Sequence, residues 1–495
     1  MLRRGGLEPR VSRVLAFVLS AVLHLCLLGL LMTSSGRYEG LDEGDTPVTR
    51  LALLKSRLAD RRDGVELPLP DFTAPKIDLQ PPLFAEDSTP GESEAADELV
   101  MRPAPAAISE PGPIAVDEVP VTTVVSELDK PTFMQHLAQL AQKLVKTPQA
   151  QVAWQQDGKQ YKATMRLERA KDGVEFDRVV AEVSAEHHGK QLTTRVNLKR
   201  LAFSHFTQVV DSWDPMVQLH DDEIVGRVHI NSRFNLLHDR RVAPRFLGKF
   251  TTAASSFDAE SVGRSSESDI FRGGIETHAG RIALPDDVQP FSWAERGAQV
   301  RVHELADDTD IRFFADGSYM WRTHNAQAAQ YRNEPSQQPV YFLGALGATL
   351  RVQGIVSGRI LVYSPKRIVV AGSITYAHDP RRIPDSGDYL GMVSDRYIEI
   401  APPSVTGPGD IDIHAAMFAG RHFIITEIDH ARPATLRIYG SLSAGTITAS
   451  EPRYAMKIEY DSRFERQRPP GFPSTDRFAA QEWDGRWTET AASSE

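Results

Sequence analysis

Cysteine is nearly absent: the 495-residue chain holds one, Cys26. That excludes a disulfide framework, a cysteine-rich zinc module and an iron–sulfur protein. A basic excess is missing too. The chain has 56 Lys and Arg against 66 Asp and Glu, so nucleic acid is not an expected partner. The sequence has no G-x-S-x-G, no phosphate-cradling glycine loop and no H-E-x-x-H, so no motif points to a hydrolase nucleophile, a bound nucleotide or a metalloprotease. No cofactor is expected, and the chain is not read as an enzyme.

What is present begins with one apolar run. Residues 14–32 contain no Asp, Glu, Lys or Arg. At about 1.5 Å per residue they match the ~30 Å hydrocarbon core of a bilayer. Arg3, Arg4, Arg10 and Arg13 precede the run, while Glu39, Asp42, Glu43 and Asp45 follow it. The positive-inside rule then places residues 1–13 in the cytoplasm and the bulk of the chain in the periplasm. A cleaved signal peptide ending near Ser34-Ser35-Gly36 is the competing reading, but the run exceeds the usual length of a signal core. Cys26 falls inside the run, leaving the exported part free of cysteine.

Residues 33–129 read as a tether. Between 63 and 129 there are 15 acidic and 2 basic residues, and prolines are scattered throughout. Such a stretch cannot bury enough apolar surface to offset its ordering entropy. The 67 residues could reach roughly 200 Å if fully extended. The remaining 130–495 carry 44 basic and 45 acidic residues, so the acidity of the chain belongs to the tether.

Residues 130–215 read as a small α+β module. Phe133, Leu137, Leu140 and Leu144 recur on one helix face. Tyr161, Ala163, Met165 and Leu167 alternate as one face of a strand, and 176–183 and 192–198 follow as further strands. From 216 to 487 short strands are broken by Gly, Ser, Pro and Asp, and helical periodicity is nearly lost. Ala348-Thr349-Leu350-Arg351-Val352-Gln353-Gly354 is echoed by Ala434-Thr435-Leu436-Arg437-Ile438-Tyr439-Gly440. Stacked coils would give such an echo. The expected fold is therefore mainly β, with a parallel β-helix (solenoid) over 216–487 and a β-sandwich as runner-up. Residues 488–495 are expected to form a disordered tail.

Two resemblances bear on function. Ser20 and His24 lie four residues apart on one helix face and resemble the Ser-x-x-x-His signature of TonB-type energy transducers. That implies contact with an ExbB–ExbD-like motor in the inner membrane. Gly226-Arg227-Val228-His229-Ile230-Asn231 resembles the opening of a domain of unknown function in bacterial envelope proteins, many of them PilX-like and associated with type IV pili. Gly248-Lys249-Phe250-Thr251-Thr252 and Phe271-Arg272-Gly273-Gly274-Ile275 continue the pattern, and Tyr460-Asp461-Ser462-Arg463-Phe464 closes it. The resemblance implies a β-helical, non-catalytic part linked to a pilus or secretion-type assembly. The prepilin signal of such relatives is missing here.

Candidate sites are few. Asp410, Asp412 and His414 alternate and could share one strand face, as an acidic or metal cluster would require. His220-Asp221-Asp222-Glu223 is a further acidic loop. Tyr460, Asp461, Arg463, Pro470, Phe472 and Trp483 read as a cap laid over the last coil, with Asp461 paired to Arg463. The leading functional expectation is a single-pass envelope scaffold or adhesion protein. A TonB-like transducer and a carbohydrate-active β-helix enzyme are the alternatives.

Overall fold

The computed structural model describes residues 124–489, apart from 172, 240–241, 263–265, 286–287, 289–299, 325–329 and 429–432. The apolar run 14–32 with Ser20, His24 and Cys26, the tether up to residue 123, and residues 490–495 lie outside the described residues. Among the described residues no helix is long and apolar enough to cross a membrane.

Phe133, Leu137 and Leu144 are buried, as an amphipathic helix requires, in α1 (Lys130–Ala141) and the 3-10 turn that follows it. The strands β1 (Gln149–Gln156), β2 (Lys159–Glu168), β3 (Arg178–His187) and β4 (Lys190–Ala202) form an antiparallel meander. Tyr161, Ala163, Met165 and Leu167 all face its core. The sheet is completed from the other end of the chain. Ser474–Ala480 and Thr488–Glu489 both pair with β4, so residues 488 and 489 are strand, where a disordered tail was expected.

Between β4 and Ser474 nearly all of the regular structure among the described residues is strand, and most of its pairings are parallel. In the first ladder the rungs Arg301–Leu305, Val340–Gly344, Arg359–Ser364, Tyr389–Ser394, 416–419 and 441–444 stack in register. Gln208–Val210, Val228–Ile230, Phe250–Thr252 and Ile275–Glu276 continue the same stack. The first of these strands falls inside the span assigned from sequence to the small module. A second ladder runs from Thr309–Phe313 to 422–425 and 446–447. A third runs through 354–356, 374–376, 411–415, 434–440 and Tyr454–Tyr460 to Glu223–Val225 and Arg245–Phe246.

Spatial order and chain order therefore differ. The rungs run from 301 to 460 and then resume at 208, ending near 276. The seam is the pairing of 442–444 with Gln208–Val210 and of 457–459, within Tyr454–Tyr460, with Glu223–Val225.

Parallel rungs need cover on both faces. Phe342, Val362, Met392, Met417, Leu442 and Val228 fill the inner side. Tyr341, Leu361, Val393, Phe418 and Val209 point outward and are covered by Phe203, Ile282, Phe464 and Phe472. The three resembling motifs take corresponding places on successive rungs: Val228 pairs with Phe250, and Phe250 with Ile275. Their leading glycines Gly226, Gly248 and Gly273 form a column. A Cβ on Gly248 would strike the Gly226 carbonyl, and one on Gly273 would strike the Gly248 carbonyl. The heptapeptide echo has a different basis. Thr349–Val352 belongs to the second ladder and 436–440 to the third, so the two copies share a corner glycine and not a rung position.

Candidate functional site

Asp410, Asp412 and His414 do not gather into one cluster. The strand Ile411–Ile425 starts after Asp410. Arg437 Nη2 donates to Asp410 at 2.7 Å, and Arg437 Nη1 lies 3.5 Å from Asp412. The Thr435 backbone N–H and then the Arg437 guanidinium hold the Asp410 carboxyl below its ordinary value. His414 is buried and turns elsewhere. Its Nδ1 accepts from the Tyr376 backbone N–H at 3.1 Å, and its ring lies 5.3 and 5.5 Å from those of Tyr376 and Tyr439. Burial, and then the Arg381 charge, lower His414 to about 4.

The six residues read as a cap divide between two cores. Asp461 and Arg463 meet at 2.6 Å, and Arg463 also donates to the Ser386 carbonyl. Tyr460 donates to Glu465. Pro470 and Phe472 are buried, Phe472 against the outer face of the first ladder. Trp483 does not join them. It lies in the core of the small sheet, stacked on Phe133 at 5.3 Å, and donates to Thr194.

In the motif Gly226-Arg227-Val228-His229-Ile230-Asn231 alternation sends Val228 and Ile230 inward and His229 and Asn231 outward. Asn231 donates to the Ile282 carbonyl and accepts from the Ile282 N–H at 2.8 Å, and His229 bonds both Asn231 and Thr251. The pair thus docks the segment that leaves the last rung. Where this segment passes, Asp211, Arg281, Leu284, Asp395 and Arg421 line a cavity of about 460 Å³. Three of these charges are engaged: Arg281 meets Asp211 at 2.7 Å, and Asp395 accepts from Tyr363 at 2.9 Å.

One grouping escaped the sequence reading. His220, Asp221 and Glu451 place one nitrogen and two carboxylate oxygens within 4.8 Å of one another. His220 Nδ1 is 3.4 Å from Glu451 Oε1. Asp222, 6% exposed, sits behind them and accepts from the His220 backbone N–H. Burial, and then the contact with Glu451, raise Asp221 to about 7. Burial and the neighbouring carboxylates do the same for Asp222. Burial works against the Glu451 carboxylate as well, but hydrogen bonds from His220 and Asp221 outweigh it and hold this group low. The acidic loop is visible in sequence. Its partner is 230 residues away and arrives only through the pairing of Tyr454–Tyr460 with Glu223–Val225.

No family model matches the chain, and no curated protein matches it. Among solved structures, the competence-associated pilin ComZ from Thermus thermophilus aligns with 73% of this chain and 95% of its own. The identity is 10% and the TM-score 0.29, too low for the likeness to inform fold or function.

Proposed function

We propose that the protein is a membrane-tethered, non-enzymatic scaffold of a bacterial envelope, presenting a parallel β-helix to a pilus- or secretion-type assembly. The observation that carries this reading is the bracketing of the ladders. The chain enters them from β4 and returns from them onto β4, so one small sheet holds both ends. A load on the N-terminal segment would reach the rungs through that sheet and not by peeling a single terminal strand. In this reading the three ladders are the faces of one coil. The run 14–32 anchors it to the inner membrane, and residues 33–123 set its distance from the bilayer.

The test is fractionation of cells producing the full-length chain, followed by protease treatment of spheroplasts. The expected outcome is a membrane fraction released by detergent and not by high salt, with cleavage after residue 32 that leaves the β part whole. A chain found in the cytosol would overturn the proposal.

A further inference from the structure

We propose that His220, Asp221 and Glu451 form a binding site for a divalent cation of the zinc type, which staples the seam between the two halves of the ladders. The inference does not depend on where the protein resides.

Three observations carry it. The first is donor chemistry: one imidazole and two carboxylates suit a borderline first-row cation, whereas calcium and magnesium favour all-oxygen sets. The second is spacing. Metal–ligand bonds of 2.0–2.1 Å at tetrahedral angles put neighbouring donors about 3.4 Å apart. His220 Nδ1 and Glu451 Oε1 are 3.4 Å apart. The third is an unmet need. Asp221 Oδ1 is closed to solvent and, apart from the Glu451 carboxyl, has no hydrogen-bond partner among the described residues. No described ion pair brings a Lys or Arg to Asp221, Asp222 or Glu451. Three crowded carboxylates leave a negative charge that a divalent cation would neutralise, with water filling the fourth position.

The location gives the site a purpose. Asp221 precedes the strand Glu223–Val225 by two residues, and Glu451 precedes Tyr454–Tyr460 by three. These strands pair across the seam, where rungs far apart in sequence must find each other. A clip that closes so long a loop acts where closure entropy is large.

The experiment uses the untagged full-length chain in detergent, stripped of metal by chelation. One equivalent of Co²⁺ should give the intense visible bands of a low-coordinate site, Zn²⁺ should displace it, and Zn²⁺ should raise the unfolding temperature of the stripped chain. His220→Gln and Glu451→Gln should each weaken Co²⁺ binding ~tenfold or more, while the distant control Asp410→Asn should leave it intact. Absent bands in the folded chain, or bands that survive both variants, would overturn the proposal. So would a more stable Glu451→Gln chain without bands, the result expected of a carboxyl pair that shares a proton. If neither variant folds, the Zn²⁺ shift of the wild-type chain decides, and no shift counts against the site.

Discussion

Asp461 grips Arg463 through both carboxylate oxygens, with the guanidinium held between the rings of Tyr376 and Tyr389. Arg463 Nε lies 3.0 Å from Oδ1 and Nη2 lies 2.6 Å from Oδ2, and the ring centroids are 5.1 and 4.4 Å away. Asp461 is 0% and Arg463 3% exposed. Two charges can be kept from water here because fork, carboxylate and rings satisfy one another.

Breaking that pair should therefore be severe. Asp461→Asn or Arg463→Met alone is expected to cost ~3–5 kcal/mol, and the double change much less than the sum, because no lone charge is then buried. Denaturant unfolding of the four chains forms the cycle, and additive losses would contradict it.

Acid should weaken the fold through two buried histidines. His205 is lowered to about 3 by burial and by the Lys199 and Arg227 charges, with Phe176 packed on its ring. His229 is lowered to about 4, mainly by burial, with Arg477 and Arg281 adding to it and Asn231 opposing. The unfolded chain binds these protons near pH 6.5 and the folded chain does not. Their stabilisation is present above pH 6.5 and is lost as pH falls toward 4. Each adds a slope approaching ~1.4 kcal/mol per pH unit in that window. His205→Asn should flatten the pH dependence of the unfolding midpoint by about one proton.

Glycine replacement should separate contact from mere flexibility. Gly248→Ala drives a methyl into the Gly226 carbonyl and should reach or pass the upper end of the ~1–3 kcal/mol typical of overpacking. Gly347→Ala, where a Cβ meets nothing within 4 Å, should be neutral or mildly stabilising. Equal effects in thermal melts would refute the stacked column.

Gln208 offers a gain. It occupies the inward column at the seam, in register with Leu442 and Val228, and both its amide atoms are buried without partners. Gln208→Leu should stabilise by about 1–3 kcal/mol, the penalty of an orphaned buried polar group. A drop in the denaturation midpoint would show that the amide has a use in setting register.

The small module was legible because its sheet has one wet face. Tyr161, Ala163, Met165 and Leu167 alternate with exposed Lys162 and Arg166, and that period survives in the sequence. The sequence also marks strands at 367–372, 396–400, 411–415 and 435–440; each overlaps an observed strand, and three of these strands run on further than the sequence shows. Their order was not legible. Parallel rungs buried on both faces carry no mark of which neighbour they pair with, and Gln208 finds Leu442 only in space. For the same reason the sequence exposed the His220 loop but not Glu451. Trp483 was misplaced because a tryptophan ten residues beyond the last proline gives no sign in the sequence of which core it enters. Arg437 cancelled the Asp410–Asp412 pair from an adjacent rung, which strand alternation alone could not foresee.

The permuted order of the rungs has a consequence for biosynthesis. Leu442 lies 234 residues downstream of Gln208, so the first rungs leave the ribosome with a bare flank and keep it until nearly all of the chain has followed. Rungs 301–460 can zip in the order in which they are made, each onto its predecessor. Those between 208 and 276 can stack on one another, but the open flank of Gln208–Val210 must wait for 442–444. A nascent chain stalled before residue 440 would present an open β edge to every copy of itself, so production of this protein should be sensitive to truncation and to the supply of holding chaperones.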